Sequence, residues 1–170
     1  HDACRKNGDR FRTQNHLVVR RGPFVVAAVL DESVSQNALT LRGDYVDLFN
    51  PALPVVTNPE LTPNQRALLY DLAWARKHGP AAKVAGAGAR IRNERLEPGR
   101  FEFTARGPVK TRCTACVLLP SPPESIQVEP VIPIESQWNA EHGVLRLSFD
   151  NQATDLAFRI DWPSRSGTAR

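Results

Sequence analysis

Residues 144–150 read VLRLSFD, and residues 155–162 read DLAFRIDW. Large apolar side chains occupy every second position of both runs: Leu145, Leu147, Phe149, Leu156, Phe158 and Ile160. A period of two places these side chains on one face of a β-strand, with the intervening residues on the other face. The two runs therefore predict two half-buried strands near the carboxyl terminus.

Short β-prone runs separated by Gly, Pro, Asn and Asp fill most of the remaining sequence. The stretch 118–136 contains five prolines and is predicted as a loop and a sheet edge, because proline cannot donate to a central ladder. About ten short strands at this spacing predict a mainly β fold, an antiparallel β-sandwich of immunoglobulin-like or jelly-roll-like kind. The other predicted strands cover residues 16–20, 23–30, 39–41, 44–49, 53–57, 83–92, 100–106, 111–119 and 125–128.

One segment, residues 63–78, favours a helix. Thr62, Pro63 and Gln65 have the layout of a capping box, apolar residues recur at helical spacing from Leu68 to Ala75, and a Gly-Pro pair follows. A Pro-Asn turn leading into a strand over 66–72 would also suit a β-rich neighbourhood. Both interpretations are kept.

The length of 170 residues fits a single domain. We expect an amino-terminal extension over 1–15, one β-sandwich domain over 16–162 and a tail over 163–170. The chain contains no methionine and begins at His1-Asp2. We therefore expect either that a secretion signal was removed or that the chain is one domain of a longer polypeptide.

Charge and hydropathy patterns argue against two classes of partner. The net charge is +4, but Glu94, Glu97 and Glu102 interrupt the basic segment 90–112, whereas a nucleic-acid-binding stripe would carry little acid. No apolar run approaches the roughly 20 residues of a membrane span. We expect neither nucleic acid nor membrane as a partner.

The three cysteines are Cys4, Cys113 and Cys116. Although Cys113 and Cys116 form a C-x-x-C, they fall on a predicted strand, where they would point to opposite faces. Such a pair cannot chelate one ion, so both are predicted to be buried small apolar residues. A bridge from Cys4 to one of them stays open if the protein is secreted.

The run 84–88, VAGAG, looks superficially like a dinucleotide-binding loop. Ile91 stands where the third glycine is required, and no long helix follows. We interpret the run as small residues packed within a strand.

Three stretches of the chain resemble a known class of module. Residues 20–33, RRGPFVVAAVLDES, and 47–55, DLFNPALPV, look like accessory β-sandwich modules of large secreted bacterial carbohydrate-active proteins. The ending, from Trp138-Asn139 through the strand 145–149 to Trp162, is similar to non-catalytic sandwiches that follow glycoside hydrolase domains. The resemblance covers residues 16–162, rests on short motifs and implies an ancillary role, with catalysis elsewhere.

Aromatic side chains are candidates for contacts with sugar rings. If the 63–78 helix forms, Tyr70 and Trp74 lie four residues apart on one face and would make a weak ligand-binding platform. Packing into the core is the competing interpretation for both. Trp138 and Trp162, which bracket the last hairpin, are predicted to belong to the core.

His1 offers an enzymatic alternative. If it is a mature amino terminus, its amino group and imidazole would bind copper together with His16, His78 or His142, as in lytic polysaccharide monooxygenases. The flanking residues depart from that family's pattern. A domain boundary that happens to fall at histidine is the simpler explanation.

The function predicted from the sequence is a non-catalytic structural or carbohydrate-associated module of a larger secreted bacterial glycan-processing protein. Its expected partners are the rest of the parent polypeptide, or a catalytic domain, and a glycan, and no cofactor or metal is expected. The expected location is secreted, periplasmic or extracellular. The alternatives are the copper-dependent enzyme using His1 and a generic protein-interaction domain.

Overall fold

The computed structural model describes residues 14–30 and 36–163. Within these ranges the chain forms a mainly β fold with a single short helix. The elements are β1 (His16–Arg21), β2 (Phe24–Val29), β3 (Leu39–Thr40), β4 (Asp44–Asp47), β5 (Val55–Thr57), β6 (Glu60–Leu61), β7 (Arg66–Asp71), α1 (Leu72–His78), β8 (Lys83–Ala87), β9 (Arg90–Glu97), β10 (Arg100–Arg106), β11 (Arg112–Leu118), β12 (Ser125–Glu129), β13 (Ile134–Asn139), β14 (Val144–Asp150) and β15 (Leu156–Asp161).

The strands form three antiparallel sheets and one small ladder. The amino-terminal sheet has the order β1-β2-β7-β4-β5, the central sheet β13-β14-β11-β8 and the outer sheet β12-β15-β10-β9, while β3 pairs with β6. All the strand pairs are antiparallel. The predicted fold class is therefore confirmed.

Three clusters of buried side chains lie between these layers. The first fills the space between the central and outer sheets and includes Phe103, Leu147 and Phe158. The second lies between the amino-terminal and central sheets and includes Tyr70 and Cys116. The third lies between the amino-terminal sheet and the β3–β6 ladder. The central and outer sheets thus form an eight-stranded sandwich, and the amino-terminal sheet packs on its back.

The central sheet is buried on both faces along β11. Cys113, Ala115 and Val117 point into the first cluster, whereas Cys116 and Leu118 point into the second. This confirms the predicted orientation of the two cysteines. A strand covered on both sides reads as a continuous apolar run, as the sequence CTACVLL does.

The helix is shorter than the one predicted over 63–78 and begins at Leu72, whereas the alternative interpretation, a Pro-Asn turn leading into a strand over 66–72, is confirmed by β7. The Thr62 N–H does donate to Gln65 Oε1 at 2.8 Å, but Asn64 has a φ of 68°, so these residues make a turn into β7. Pairing of β7 with β2 and β4 then outweighs the local helical pattern. The actual cap is Asp71, whose carboxylate accepts the Trp74 N–H at 2.9 Å.

The proline-rich stretch lies at sheet edges, as its composition predicts, but it also includes the start of a strand, β13, that was not predicted. It contains β12 and the start of β13, and both strands lie at edges, β12 of the outer sheet and β13 of the central sheet. The glycine-containing run 84–88 lies on and just after β8, and the single strand predicted over 83–92 is divided there into β8 and β9. A Cβ atom placed on Gly86 would lie 2.6 Å from Leu48 Cδ2, so the absence of a side chain lets the amino-terminal and central sheets approach closely.

Candidate functional site

The predicted platform of Tyr70 and Trp74 does not form. Tyr70 lies on β7, not on the helix, and only 2% of it is exposed, within the cluster between the amino-terminal and central sheets. Trp74 lies on α1 and is 37% exposed. The prediction placed both residues on one helical face, and the strand at 66–71 removes that face.

The Trp74 indole is engaged with other parts of the chain. The His78 imidazole stacks on it, with the ring centroids 4.7 Å apart and the planes inclined by 29°. A Cβ atom placed on Gly22, in the β1–β2 turn, would lie 3.6 Å from the Trp74 six-membered ring. One indole face is therefore taken by His78, which leaves a poorer surface for a sugar ring than an open tryptophan offers.

The candidate copper-binding histidines lie on three separate elements. His16 begins β1, His78 ends α1, and His142 is buried in the turn between β13 and β14, with Nδ1 3.8 Å from Asp44 Oδ2. His78 stacks on Trp74 beside the β1–β2 turn, whereas His16 lies at the opposite end of β1, about 17 Å of strand from that turn. His1 lies outside the described residues, and copper binding through it stays a prediction.

The cysteines of the C-x-x-C pair are free, and both are buried. Burial raises the pKa of the Cys113 thiol to about 11 and that of the Cys116 thiol to about 12. Both are therefore protonated thiols at neutral pH, unsuited to binding metal or attacking an electrophile. Among residues 14–30 and 36–163, no group of three or more His, Cys, Asp or Glu side chains is placed to hold a metal ion. Cys4 lies outside these ranges.

The exposed face of the outer sheet carries a polar depression with a volume of about 330 Å³, and all four strands of that sheet line it. Its floor lies at Ala157 on β15, whose small side chain is flanked by Thr104 on one neighbouring strand and Glu129 on the other. The next cross-strand row consists of longer polar side chains, and the difference in length makes the hollow. This row contains Arg95, Glu102, Arg159 and Gln127.

An irregularity in β9 shapes one wall of this polar depression. Arg95 pairs with Glu102 and Arg92 pairs with Thr104, so Asn93 and Glu94 together oppose a single residue of β10. Asn93 adopts a φ of 54° and directs its amide to Thr104 Oγ1 at 3.3 Å. Asparagine tolerates this left-handed conformation better than most residues, and a β-bulge commonly redirects side chains in this way.

Ion pairs hold the neighbouring side chains in place. Arg159 Nε donates to Glu102 Oε1 at 2.8 Å, and Arg100 Nε donates to Asp161 Oδ1 at 2.7 Å. The hydrogen bond from Arg100, assisted by one from Ser125, lowers the pKa of Asp161. By contrast, neither Gln127 nor Glu129 makes a side-chain hydrogen bond or ion pair with any described residue. The polar depression therefore combines fixed groups with groups that are free to bind.

A second polar cleft lies on the central sheet beside the turn at Ala52 and is lined by Thr114, Ser148, Gln137 and Arg146. Arg146 donates to Gln137 Oε1 and, at 3.5 Å, to the Ala52 carbonyl. Its cationic group thus links the central sheet to the amino-terminal half of the chain. Because these contacts already engage the Arg146 guanidinium, the polar depression on the outer sheet is the stronger candidate for a binding site.

No protein-family model, curated protein or solved structure matches the chain. Within the described part of the chain, no helix has the length and apolar character of a membrane span.

Proposed function

We propose that the chain is a non-catalytic binding module of a larger secreted bacterial glycan-processing protein, and that the polar depression holds a short stretch of polysaccharide. The observation that carries the proposal is the hollow itself, which lies on an open sheet face and presents amide, carboxylate, hydroxyl and guanidinium groups from four strands. Sugar hydroxyls both donate and accept hydrogen bonds, so a mixture of such groups complements them.

The shape of the site supports recognition of a chain rather than enclosure of a small molecule. The hollow lies on the outer surface of a sandwich, so a polymer can pass across it without threading. The Phe103 and Phe158 rings are buried below the hollow. Because these rings are not available for stacking on a sugar, binding would depend on hydrogen bonds to the polar side chains that line the hollow, among them the paired Arg159 and Glu102.

The carboxylates of the polar depression support a non-catalytic role. Glycoside hydrolysis usually needs two carboxyl groups that are free to act as acid and as nucleophile or base. Glu102 is already paired with Arg159 at 2.8 Å. Glu129 is then the one carboxylate lining the described hollow that has no described partner.

Retention on polysaccharides tests this function. The purified chain would be run through gels containing xylan, mannan or β-glucan and mixed with insoluble cellulose and chitin. Ala157→Tyr would fill the floor of the polar depression on an exposed strand position, and Ala52→Tyr would crowd the second cleft as a matched control. We expect at least one polysaccharide to retain the wild type and the Ala52→Tyr variant but not the Ala157→Tyr variant.

Two outcomes would overturn the proposal. Failure of all these polysaccharides to retain the wild-type chain would remove the glycan-binding role. Loss of retention in the Ala52→Tyr variant, with normal retention in the Ala157→Tyr variant, would move the site to the second cleft. Thermal unfolding of both variants checks that each one is folded.

A further inference from the structure

Strand β1 forms an open edge of the amino-terminal sheet. It pairs with β2 through a two-residue turn at Gly22-Pro23, and no other described strand pairs with it. In an antiparallel pair, alternate residues exchange backbone hydrogen bonds. The bond from Leu30 N–H to the Asn15 carbonyl shows that odd-numbered residues of β1 face β2. The N–H and C=O groups of His16, Val18 and Arg20 therefore point outward along the free edge.

Apart from the charges of Arg20 and Arg21 at its carboxyl end, β1 lacks the features that usually protect an edge strand. It is six residues long, contains no proline and pairs in unbroken register. The other described edges are short, bulged or bordered by proline. β5 has three residues, β8 and β9 contain register shifts, and prolines border β12 and precede β13.

The β1–β2 hairpin also exposes an apolar face. Leu17 is 59% exposed, Val19 50%, Phe24 44% and Val26 46%. Directly paired residues share a face, so the pairing of Phe24 with Tyr70 places the hairpin's apolar residues on the face that is buried further along the sheet. The apolar face of the sheet thus extends beyond the area that the central sheet covers.

The charge of Arg21, at the end of β1, indicates which side chain a neighbouring strand would carry. Arg20 is paired with Asp71 at 3.0 Å. Arg21 is exposed, lies on the same face as Leu17 and Val19, and makes no ion pair with any described residue. An opposite charge directly across an antiparallel pair is favourable. An incoming strand would therefore carry a carboxylate opposite Arg21.

We propose that β1 accepts an extended strand of a partner protein. The strand would add to the free edge antiparallel to β1, with apolar side chains beside Leu17 and Val19 and an acidic side chain opposite Arg21. Backbone bonds to His16, Val18 and Arg20 would supply affinity, and the alternate side chains would supply register. This site lies on a different sheet from the polar depression and does not depend on the proposed glycan binding.

The probe is the synthetic peptide acetyl-Glu-Thr-Val-Thr-Val-amide, in which Glu falls opposite Arg21 and the two valines fall opposite Val19 and Leu17. NMR spectra of the isotope-labelled protein should shift at Val18 and Arg20 as the peptide is added. At a peptide concentration about ten times Kd, hydrogen exchange at these two amides should slow about tenfold.

Two peptide controls test the geometry. N-methylation of the threonines, which face the β1 edge, should abolish binding, whereas N-methylation of the valines, whose N–H groups face away, should preserve it. Replacing Glu by Lys should weaken binding. Equal binding by the two N-methylated peptides would overturn strand addition, and equal binding by the Glu and Lys peptides would overturn the charge assignment.

A protein variant and the free protein complete the test. Val18→Pro removes an outward N–H without removing a β1–β2 bond, so it should abolish peptide binding while thermal unfolding stays close to that of the wild type. Absence of any shift with the unmodified peptide would overturn the proposal. So would edge amides that are already protected in the free protein, because the chain itself would then cover them. Sedimentation showing a dimer that Val18→Pro abolishes would make a second copy the occupant.

Discussion

Cys113 and Cys116 share strand β11, but their side chains lie in two different cores. Cys113 packs between the central and outer sheets, and Cys116 packs between the central and amino-terminal sheets. Strand geometry produces this separation, because residues an odd number of positions apart point to opposite faces. Each thiol therefore reports on the opening of one pair of layers.

Thiol labelling tests this arrangement. In a Cys4→Ser background, which removes the cysteine outside the described residues, a disulfide reagent should label neither thiol of the native protein rapidly. The reason is that burial raises the pKa of Cys113 to about 11 and that of Cys116 to about 12, so little reactive thiolate forms. Both thiols should react in denaturing guanidinium chloride, which serves as the control. Rapid reaction of either thiol in the native protein would contradict its burial.

The close approach of two sheets at Gly86 predicts a second effect. Gly86→Val should lower the free energy of unfolding by about 1–3 kcal/mol, because added atoms meet Leu48 and Leu53 across the layer boundary. Gly88→Ala is the matched control, since its Cβ would lie 3.6 Å from Cys113 Sγ and should change stability by less than about 0.5 kcal/mol.

Denaturant unfolding measures both changes. In the double variant with Leu48→Ala, the cost of Gly86→Val should fall, because the atoms that it meets are gone. Strict additivity of the two costs would show that the sheets do not meet at this point.

Two tryptophans should respond differently to truncation. Trp162 is buried in the core between the central and outer sheets, so Trp162→Ala should cost about 3–5 kcal/mol. Trp74 is partly exposed and contacts His78 and the β1–β2 turn, so Trp74→Ala should cost about 1 kcal/mol. Thermal unfolding should show the difference at about 2–4 °C per kcal/mol. Equal losses of stability in the two variants would contradict the placement of Trp162 in the core and of Trp74 at the surface.

Local patterns in the sequence predicted much of the sandwich correctly. The alternation in 144–149 and 155–162 predicted β14 and β15, and the prolines of 118–136 predicted a sheet edge where β12 lies, but β13 was not predicted. Alternation and proline content are properties of a single segment, so residues that are adjacent in the sequence are sufficient to reveal them. The continuous apolar run in β11 is the signal that could have indicated a strand buried on both faces, and hence a third layer.

The site and the helix boundary depend on distant pairing. The hydrogen bond from Thr62 to Gln65 that the capping pattern predicts does form, but pairing of β7 with β2 and β4 makes the next residues a strand instead of a helix. Glu102, Glu129 and Ala157 form one hollow because β10, β15 and β12 are neighbours in the outer sheet. Nothing in the separate segments specifies that order. The alternate polar positions of β10 and β15 indicate an exposed face but not which groups meet on it.

Acid unfolding should reveal the ion pair between Arg100 and Asp161. Arg100 Nε lies 2.7 Å from Asp161 Oδ1, and Ser125 also donates to this carboxylate, at 3.1 Å. These hydrogen bonds lower the pKa of Asp161 in the folded protein below its ordinary value of about 3.9. The carboxylate's contribution to stability is therefore fully present above about pH 4 and is lost as the pH falls through the lower folded value.

Asp161→Asn removes this titration, so the free energy of unfolding of the variant should fall less steeply than that of the wild type below about pH 4. Asp155→Asn, just before the other end of β15, is the matched control, because it removes a longer contact, of 3.2 Å, between Arg106 and a more exposed carboxylate. Denaturant unfolding at a series of acidic pH values gives the three slopes. We expect Asp155→Asn to follow the wild type, since the contact that it removes is the weaker one. If Asp161→Asn also followed the wild-type curve, Asp161 would not be the carboxylate that links folding to acid on this face.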